Sequence, residues 1–176
     1  LRSVLRIAVG ETVEIGLLHG RTGQAVVEAH DRETTTLACE WTSDGPALGS
    51  DLLVLAVPRP VVLVRCLEAA TAMGFGQIVL LRTRLVDKSH LMAKAMKPEA
   101  LQQHLRRGLE QGARTRPPRL HLAERFKPFV EEQLEELTPS GPRFVGHPGP
   151  EPTGLSHALA GGTGFTLAVG PERGFT

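Results

Sequence analysis

Two glycine- and proline-rich loops near the end of the chain carry the residues best suited to hold a ligand. A short apolar run, residues 165–169, ends at Gly170-Pro171, and Glu172 and Gly174 follow. Backbone groups at a glycine can approach a ligand closely because no Cβ intervenes. A strand followed by a Gly-Pro turn is more often only a turn. A second unit of the same kind, Phe144-Val-Gly146 followed by His147-Pro-Gly149, raises the expectation of a ligand-facing edge.

Other chemical templates are missing from the sequence. It contains no Gly-x-Ser-x-Gly elbow, no Gly-x-x-x-x-Gly-Lys loop and no Gly-x-Gly-x-x-Gly opening the first helix, which disfavours hydrolase, NTPase and dinucleotide-binding functions. The histidines form no i, i+4 pair, and Cys39 and Cys66 lack metal-ligand spacing. We therefore predict no metal site and two cysteines in the core. His147 stands apart from the other histidines because it lies in the second loop.

The composition is that of a globular protein. The chain has 176 residues, of which 41% are hydrophobic, enough for a sizeable core. No apolar run approaches the roughly 18–20 residues that span a bilayer, and no signal-peptide pattern opens the sequence. We expect a cytoplasmic protein without a membrane partner.

Positive charge is concentrated in one part of the chain. Residues 82–119 contain ten Lys or Arg and three acidic residues, although the formal net charge of the whole chain is only +1. A polyanion would suit this segment, because each phosphate contact made by Lys or Arg releases counterions. A solvated helical face is the alternative explanation. Aromatic residues make up only 4% of the chain, so a base-stacking platform is not evident.

The first fifty residues and the remainder follow different patterns. Apolar alternation broken by turn residues predicts strands at 12–18, 24–28 and 35–41, which suggests a small antiparallel barrel or sandwich. Turn formers at 43–50 mark a domain boundary, giving predicted domains of 1–49 and 50–176. We predict an α/β second domain with a mostly parallel sheet, from strands at 52–56, 77–81 and 120–122 and helices at 61–73, 97–112 and 126–137.

Local signals place two features of this second domain. Leu63, Leu67, Ala70 and Met73 are predicted to form the buried face of its first helix, with Gly74 ending that helix. The basic segment begins at the carboxyl end of strand 77–81. Ligands of open α/β sheets collect outside that end of the strands.

Several motifs occur together in the order seen in a known family. They are Val4-Leu-Arg6, Val9-Gly-Glu11, Pro58-Arg-Pro60, Glu68-Ala-Ala-Thr-Ala-Met-Gly74, Ile78-Val-Leu-Leu81, Lys88-Ser89, Glu110-Gln111, Arg114, Phe126-Lys-Pro-Phe129, His147-Pro-Gly149 and Gly170-Pro-Glu-Arg-Gly-Phe175. With them the chain resembles, over nearly its whole length, the bacterial ribosomal RNA small-subunit methyltransferase E family. Members methylate N3 of a uridine in 16S ribosomal RNA.

The resemblance implies a fold, a cofactor and partners. The N-terminal domain would be a PUA-like, RNA-binding β-barrel, and the second a SPOUT-type α/β domain with a trefoil knot. The cofactor would be S-adenosylmethionine, held between knot loops. The substrate would be the small ribosomal subunit, and the protein would be a homodimer.

Site residues follow where this sequence matches the family's motifs. The resemblance assigns cofactor contact to Gly146, His147, Pro148, Gly170, Pro171, Glu172 and Gly174. Gln111 and Arg114 become the catalytic candidates on the RNA side of the pocket, with Arg114 orienting phosphate or base. Candidate RNA contacts are Arg2, Arg6, Arg82, Arg84 and Lys88.

The sequence also departs from the family. Arg173 stands where members usually have glycine, which adds a bulky cation to the terminal loop. Members continue beyond the position of Thr176 with a helix and a segment that completes the pocket and the knot, so we expect further C-terminal residues in the full protein. A catalytically weak RNA-binding or ribosome-assembly module on the same fold is the alternative function.

Overall fold

The computed structural model describes residues 7–146 and 164–171. The chain divides into two compact units, the first comprising residues 1–47 and 113–116, the second 48–112 and 117–176. The sequence pattern did not reveal that a short segment from the middle of the chain belongs with the N-terminal residues. The two units are described separately.

The first unit contains a three-stranded antiparallel sheet in the order β1-β2-β3. Its strands are β1 (Thr12–Gly16), β2 (Arg21–His30) and β3 (Thr35–Asp44). Alternation along β2 buries Gly23, Ala25 and Val27 and leaves the residues between them in solvent. The predicted strands are therefore confirmed. Cys39 on β3 is exposed and not in the core as predicted, because the face of β3 that carries it is largely uncovered.

The second unit contains a five-stranded parallel sheet in the order β6-β5-β4-β8-β7. The strands are β4 (Leu52–Ala56), β5 (Gln77–Leu81), β6 (Arg119–Ala123), β7 (Arg143–Gly146) and β8 (Thr166–Val169). The predicted parallel α/β sheet is confirmed. β4 is buried along its entire length, as its uninterrupted run of aliphatic residues requires of a central strand.

Helices cover both faces of this sheet. They are α1 (Pro60–Met73), α2 (Lys88–Leu91), α3 (Pro98–Gln111), α4 (Phe126–Pro128), a π-helical turn (Phe129–Gln133) and α5 (Leu134–Leu137). α1 and α3 pack Leu63, Leu67 and Leu105 on one face. Phe129 fills the other face, with Leu134 and Leu137 beside it. Successive residues of each strand serve opposite faces, so two apolar cores sandwich the sheet.

Local sequence signals set the ends of α1. Pro60 occupies its first turn, and Gly74 ends it in the left-handed conformation with φ of 90°. The predicted buried face is confirmed for Leu63, Leu67 and Ala70. It is wrong for Met73, which is 66% exposed. At about 100° per residue, Met73 lies about 60° round the helix from Ala70 and about 120° from Leu67, which takes it beyond the buried stripe.

Candidate functional site

Three strand ends meet at the carboxyl edge of the parallel sheet. Gly146, the last residue of β7, lies opposite Val169, the last residue of β8. Val169 in turn lies opposite Leu55 of β4. The loops that leave these strands therefore start side by side. Two of them are the glycine- and proline-rich loops singled out from the sequence.

The strand order brings segments that are far apart in the sequence to the same edge of the sheet. From β4 the chain moves outward on one side, to β5 and then β6, and it returns on the other side of β4 to form β7 and β8. Strands β4 and β8, which are distant along the chain, are thereby neighbours in the sheet. Ligands of open α/β sheets collect outside the carboxyl ends of the strands.

The residues lining this edge are mostly small or apolar. Val57 and Pro58, which continue β4, are buried, and so is Pro171. The Val57 N–H donates to the Leu81 carbonyl at 3.0 Å, which fixes the chain as it leaves β4. A Cβ placed on Gly146 would meet its nearest atoms, the Ala168 carbonyl oxygen and Val169 Cγ2, at 3.6 and 3.7 Å. The described neighbours therefore leave ordinary space beside Gly146, and the fold itself does not demand glycine there.

Basic side chains occupy the same edge of the sheet next to β4. Arg82 and Arg84 follow β5 directly, Lys88 begins α2, and all three are exposed. The Arg82 N–H donates to the Ala123 carbonyl at 2.8 Å, so its backbone is anchored to the end of β6. β5 lies two strands from β8, a separation of about 10 Å at the usual strand spacing. The cationic groups and the two loops thus lie at the same end of the parallel strands.

Thr83 is a polar residue at this edge that sequence reasoning missed. It lies between the exposed Arg82 and Arg84, is only 5% exposed, and its hydroxyl has no hydrogen-bond partner among the residues that the structure describes. A buried polar group without a partner is uncommon in folded proteins. A ligand atom can supply the missing partner. The only signal in the sequence was the alternation Arg82-Thr83-Arg84 directly after a strand.

Gln111 lies near the amino ends of the parallel strands, opposite the carboxyl edge where the two loops start. It is the exposed last residue of α3, and a Cβ on the next residue, Gly112, would meet the backbone of Ala72 in the last turn of α1. That end of α1 adjoins the start of β4, since the Gly49 N–H donates to the Gly74 carbonyl at 3.2 Å. Within one chain, Gln111 is not brought together with Gly146 and Gly170.

Arg114 belongs to the first unit, in the segment 113–116, and its side chain is partly exposed. The remaining predicted contacts lie outside the described residues: Arg2, Arg6, His147, Pro148, Glu172 and Gly174. Among the residues that the structure describes, no cluster of His, Cys, Asp or Glu is suited to a metal ion, and no helix is long and apolar enough to cross a membrane.

Comparison with known proteins assigns the family. A family model described as an RNA methyltransferase domain matches residues 51–176, which include the entire parallel sheet. The chain belongs to the RNA methyltransferase family. The resemblance to small-subunit methyltransferase E drawn from the motifs is confirmed by curated relatives of that name.

Two of these relatives align with the whole chain. Ribosomal RNA small subunit methyltransferase E of Treponema pallidum is 27% identical, and the chain covers 67% of its length. Ribosomal RNA small subunit methyltransferase E 1 of Borreliella burgdorferi is 24% identical, and 72% of its length is covered. The family model and both alignments therefore include the second unit.

Solved structures share the fold. A ribosomal RNA small subunit methyltransferase E from Neisseria gonorrhoeae, bound to S-adenosylmethionine, superimposes with a TM-score of 0.69 at 15% identity, covering 99% of this chain and 71% of that one. A methyltransferase from Legionella pneumophila, in complex with the same cofactor, gives a TM-score of 0.65 at 19% identity, with 99% and 71% covered. The RNA methyltransferase fold thus extends over the chain.

Proposed function

We propose that the protein is an S-adenosylmethionine-dependent methyltransferase that acts on N3 of a uridine in 16S ribosomal RNA of the small subunit. The supporting observation is the pairing of Gly146 with Val169, which starts two glycine- and proline-rich loops together at the carboxyl edge of the sheet in an RNA methyltransferase domain. Relatives over the whole chain carry the name small subunit methyltransferase E. This substrate would place the protein in the cytoplasm.

The residues at the carboxyl edge suit an adenosine-containing cofactor. Backbone groups at Gly146 and Gly170 can hydrogen-bond a base edge, while the buried Pro58 and Pro171 provide apolar walls. We assign the same contact to His147, Pro148, Glu172 and Gly174. S-adenosylmethionine, when bound, supplies an electrophilic methyl group on its sulfonium. The space beside Gly146 leaves its backbone open to such a ligand.

Catalysis by this chain would consist of positioning and electrostatics. N3 of uridine must lose its proton, and its pKa in free uridine lies well above neutrality. A cationic group beside the base favours the deprotonated form, which is the role we assign to Arg114, while Gln111 orients the base. The uridine must leave its stack to reach the pocket. Arg2, Arg6, Arg82, Arg84 and Lys88 would hold RNA phosphates.

The proposed roles of Gln111 and of Arg114, which follows it by three residues, require a second copy of the chain. Gln111 and the cofactor loops lie at opposite edges of the sheet, whose strands of five residues span about 17 Å. One molecule therefore cannot bring both to the same base, whereas Gln111 of a second copy can complete the site. We accordingly propose a homodimer, with a PUA-like N-terminal RNA-binding domain and a knotted SPOUT-type second domain.

A second function is favoured by the basic residues at the carboxyl end of β5. Arg82, Arg84 and Lys88 are exposed and can bind RNA whether or not the loops hold a cofactor. A catalytically weak RNA-binding or assembly module would use this surface alone. Calorimetric titration of the full-length protein with S-adenosylmethionine separates the two functions. The enzyme predicts saturable binding with about one site per chain, while RNA retention without cofactor binding would support the module.

A further inference from the structure

The segment that carries Arg114 is held within the first unit by a set of hydrogen bonds. The Thr115 hydroxyl donates to the Gly20 carbonyl at 2.9 Å, and the His19 N–H donates to the Thr115 carbonyl at 2.7 Å. On the other side, the Arg116 guanidinium donates to the Gly45 carbonyl at 2.5 Å and to the Pro46 carbonyl at 3.1 Å. Arg114 thus directly precedes a residue that is fixed through both its side chain and its backbone.

Two glycines of the first unit pack against the buried side chain of Thr115. This residue is only 2% exposed. A Cβ on Gly45 would collide with the Thr115 hydroxyl, and one on Gly16 would lie 2.9 Å from Thr115 Cγ2. Two glycines therefore leave the room that a threonine side chain occupies.

Backbone strain is concentrated at the same place. Within residues 7–146 and 164–171, the only non-glycine residues with positive φ are His19, at 63°, and Ala113, at 48°. His19 donates the hydrogen bond to the Thr115 carbonyl, and Ala113 immediately precedes Arg114. Such conformations are unfavourable for residues with a Cβ and persist only where surrounding contacts impose them. The hydrogen bonds of Thr115 and Arg116 lie directly beside both residues.

We propose that Thr115 is a positioning residue for the methyl-transfer reaction, which fixes the backbone at Arg114 by anchoring the segment 113–116 in the N-terminal unit. This inference rests on the role proposed for Arg114. It adds that the backbone next to Arg114 is held by the turns of the unit to which Arg114 belongs. The anchoring function falls to Thr115 because its hydroxyl and its carbonyl are both engaged.

A conservative pair of variants tests this role in the full-length protein. Thr115→Val keeps the β-branched shape and removes the hydroxyl, whereas Thr115→Ser keeps the hydroxyl. Trypsin reports on the anchoring independently of activity, because it cleaves the Arg114–Thr115 bond when the segment opens, while the Arg116–Pro117 bond resists it. We expect Thr115→Val to accelerate this cleavage on the order of tenfold, the effect of losing one buried hydrogen bond. Thr115→Ser should cleave at the wild-type rate.

The kinetic readout separates positioning from folding. Thr115→Val should lower kcat for RNA methylation by about tenfold while S-adenosylmethionine binds with unchanged affinity and stoichiometry, and Thr115→Ser should restore kcat. Faster cleavage with an unchanged kcat would overturn the positioning role, and unchanged cleavage would overturn the anchoring. Wild-type protein that transfers no methyl group would instead refute the proposed function. If Thr115→Val fails to fold, Arg116→Gln serves as the second variant, because it weakens the hydrogen bonds to the Gly45 and Pro46 carbonyls. We expect the same faster trypsin cleavage and the same decrease in kcat for this variant.

Discussion

Gly146 faces Val169 across neighbouring parallel strands, and Val169 faces Leu55 on the next strand. The consequence is that loops separated by many residues along the chain start within one strand spacing of each other. Their starting points lie at the carboxyl ends of the strands, where open α/β sheets bind ligands. A cofactor held between two loops needs this arrangement, and the predictions below start from it.

Side chains added at Gly146 should weaken cofactor binding without affecting the fold. The φ of Gly146 is not positive, and a Cβ there would make only ordinary contacts at 3.6 and 3.7 Å. We expect Gly146→Ala to change the free energy of unfolding by less than about 0.5 kcal/mol. S-adenosylmethionine affinity, measured by calorimetry, should fall about tenfold and further in Gly146→Val. Unchanged affinity in both variants would place the cofactor elsewhere.

Removing the cation at Arg82 should weaken RNA binding through the loss of a phosphate contact. The slope of log Kd against log salt concentration for a 16S fragment should decrease by about 0.7–0.9 in Arg82→Ala. Lys127→Ala is the matched control, since it also removes one exposed positive charge, but from a segment where Lys127 pairs with Glu131 at 3.8 Å. Equal effects of the two variants would show that net charge, and not the β5 edge, governs RNA affinity.

Thr83 should bind a ligand atom if its buried hydroxyl faces the site. Replacement by the isosteric valine removes an unpartnered hydroxyl, so Thr83→Val should leave the unliganded protein as stable as the wild type or more stable. Cofactor affinity should nevertheless fall by about threefold to tenfold, the value of one hydrogen bond. Thermal melts with and without S-adenosylmethionine measure both effects. A gain in stability that is the same in both conditions would assign Thr83 no ligand contact.

Two inactive variants should complement each other if the site is shared between copies. Gly146→Val damages the cofactor loops and Gln111→Ala removes the residue at the opposite edge. In a mixed dimer, one site then combines the intact loops of one copy with the intact Gln111 of the other. An equimolar mixture, unfolded and refolded together, should regain about a quarter of wild-type methyl transfer, given random pairing in a symmetric dimer. Mixtures as inactive as the separate variants would show that each chain uses its own Gln111.

The second unit was largely predictable because its signals are local. Uninterrupted aliphatic runs predicted β4 and β5, and Gly74 predicted the end of α1. Met73 was misplaced because it lies near the limit of the helical stripe, where periodicity discriminates least. Gly146 and Gly170 were recognised as loop residues, but their adjacency depends on the order of five strands, which pairing across the sheet determines.

Other features depend on contacts between residues distant in sequence. The attachment of Thr115 to the first unit involves Gly20 and Gly45, which no periodicity connects to it. Likewise, Gln111 appeared in a motif with Arg114, yet it ends a helix at the amino edge of the sheet, away from the loops. The motif gave no information about which edge of the sheet these residues occupy.

Methyl transfer to assembled small ribosomal subunits tests the central proposal most directly. Subunits lacking the modification would be incubated with the protein and S-adenosylmethionine labelled in its methyl group, and the 16S RNA would then be digested and analysed by nucleoside mass spectrometry. The proposal predicts label in a single nucleoside, 3-methyluridine, at about one per subunit. Absence of label, or label on a different atom or nucleoside, would contradict it.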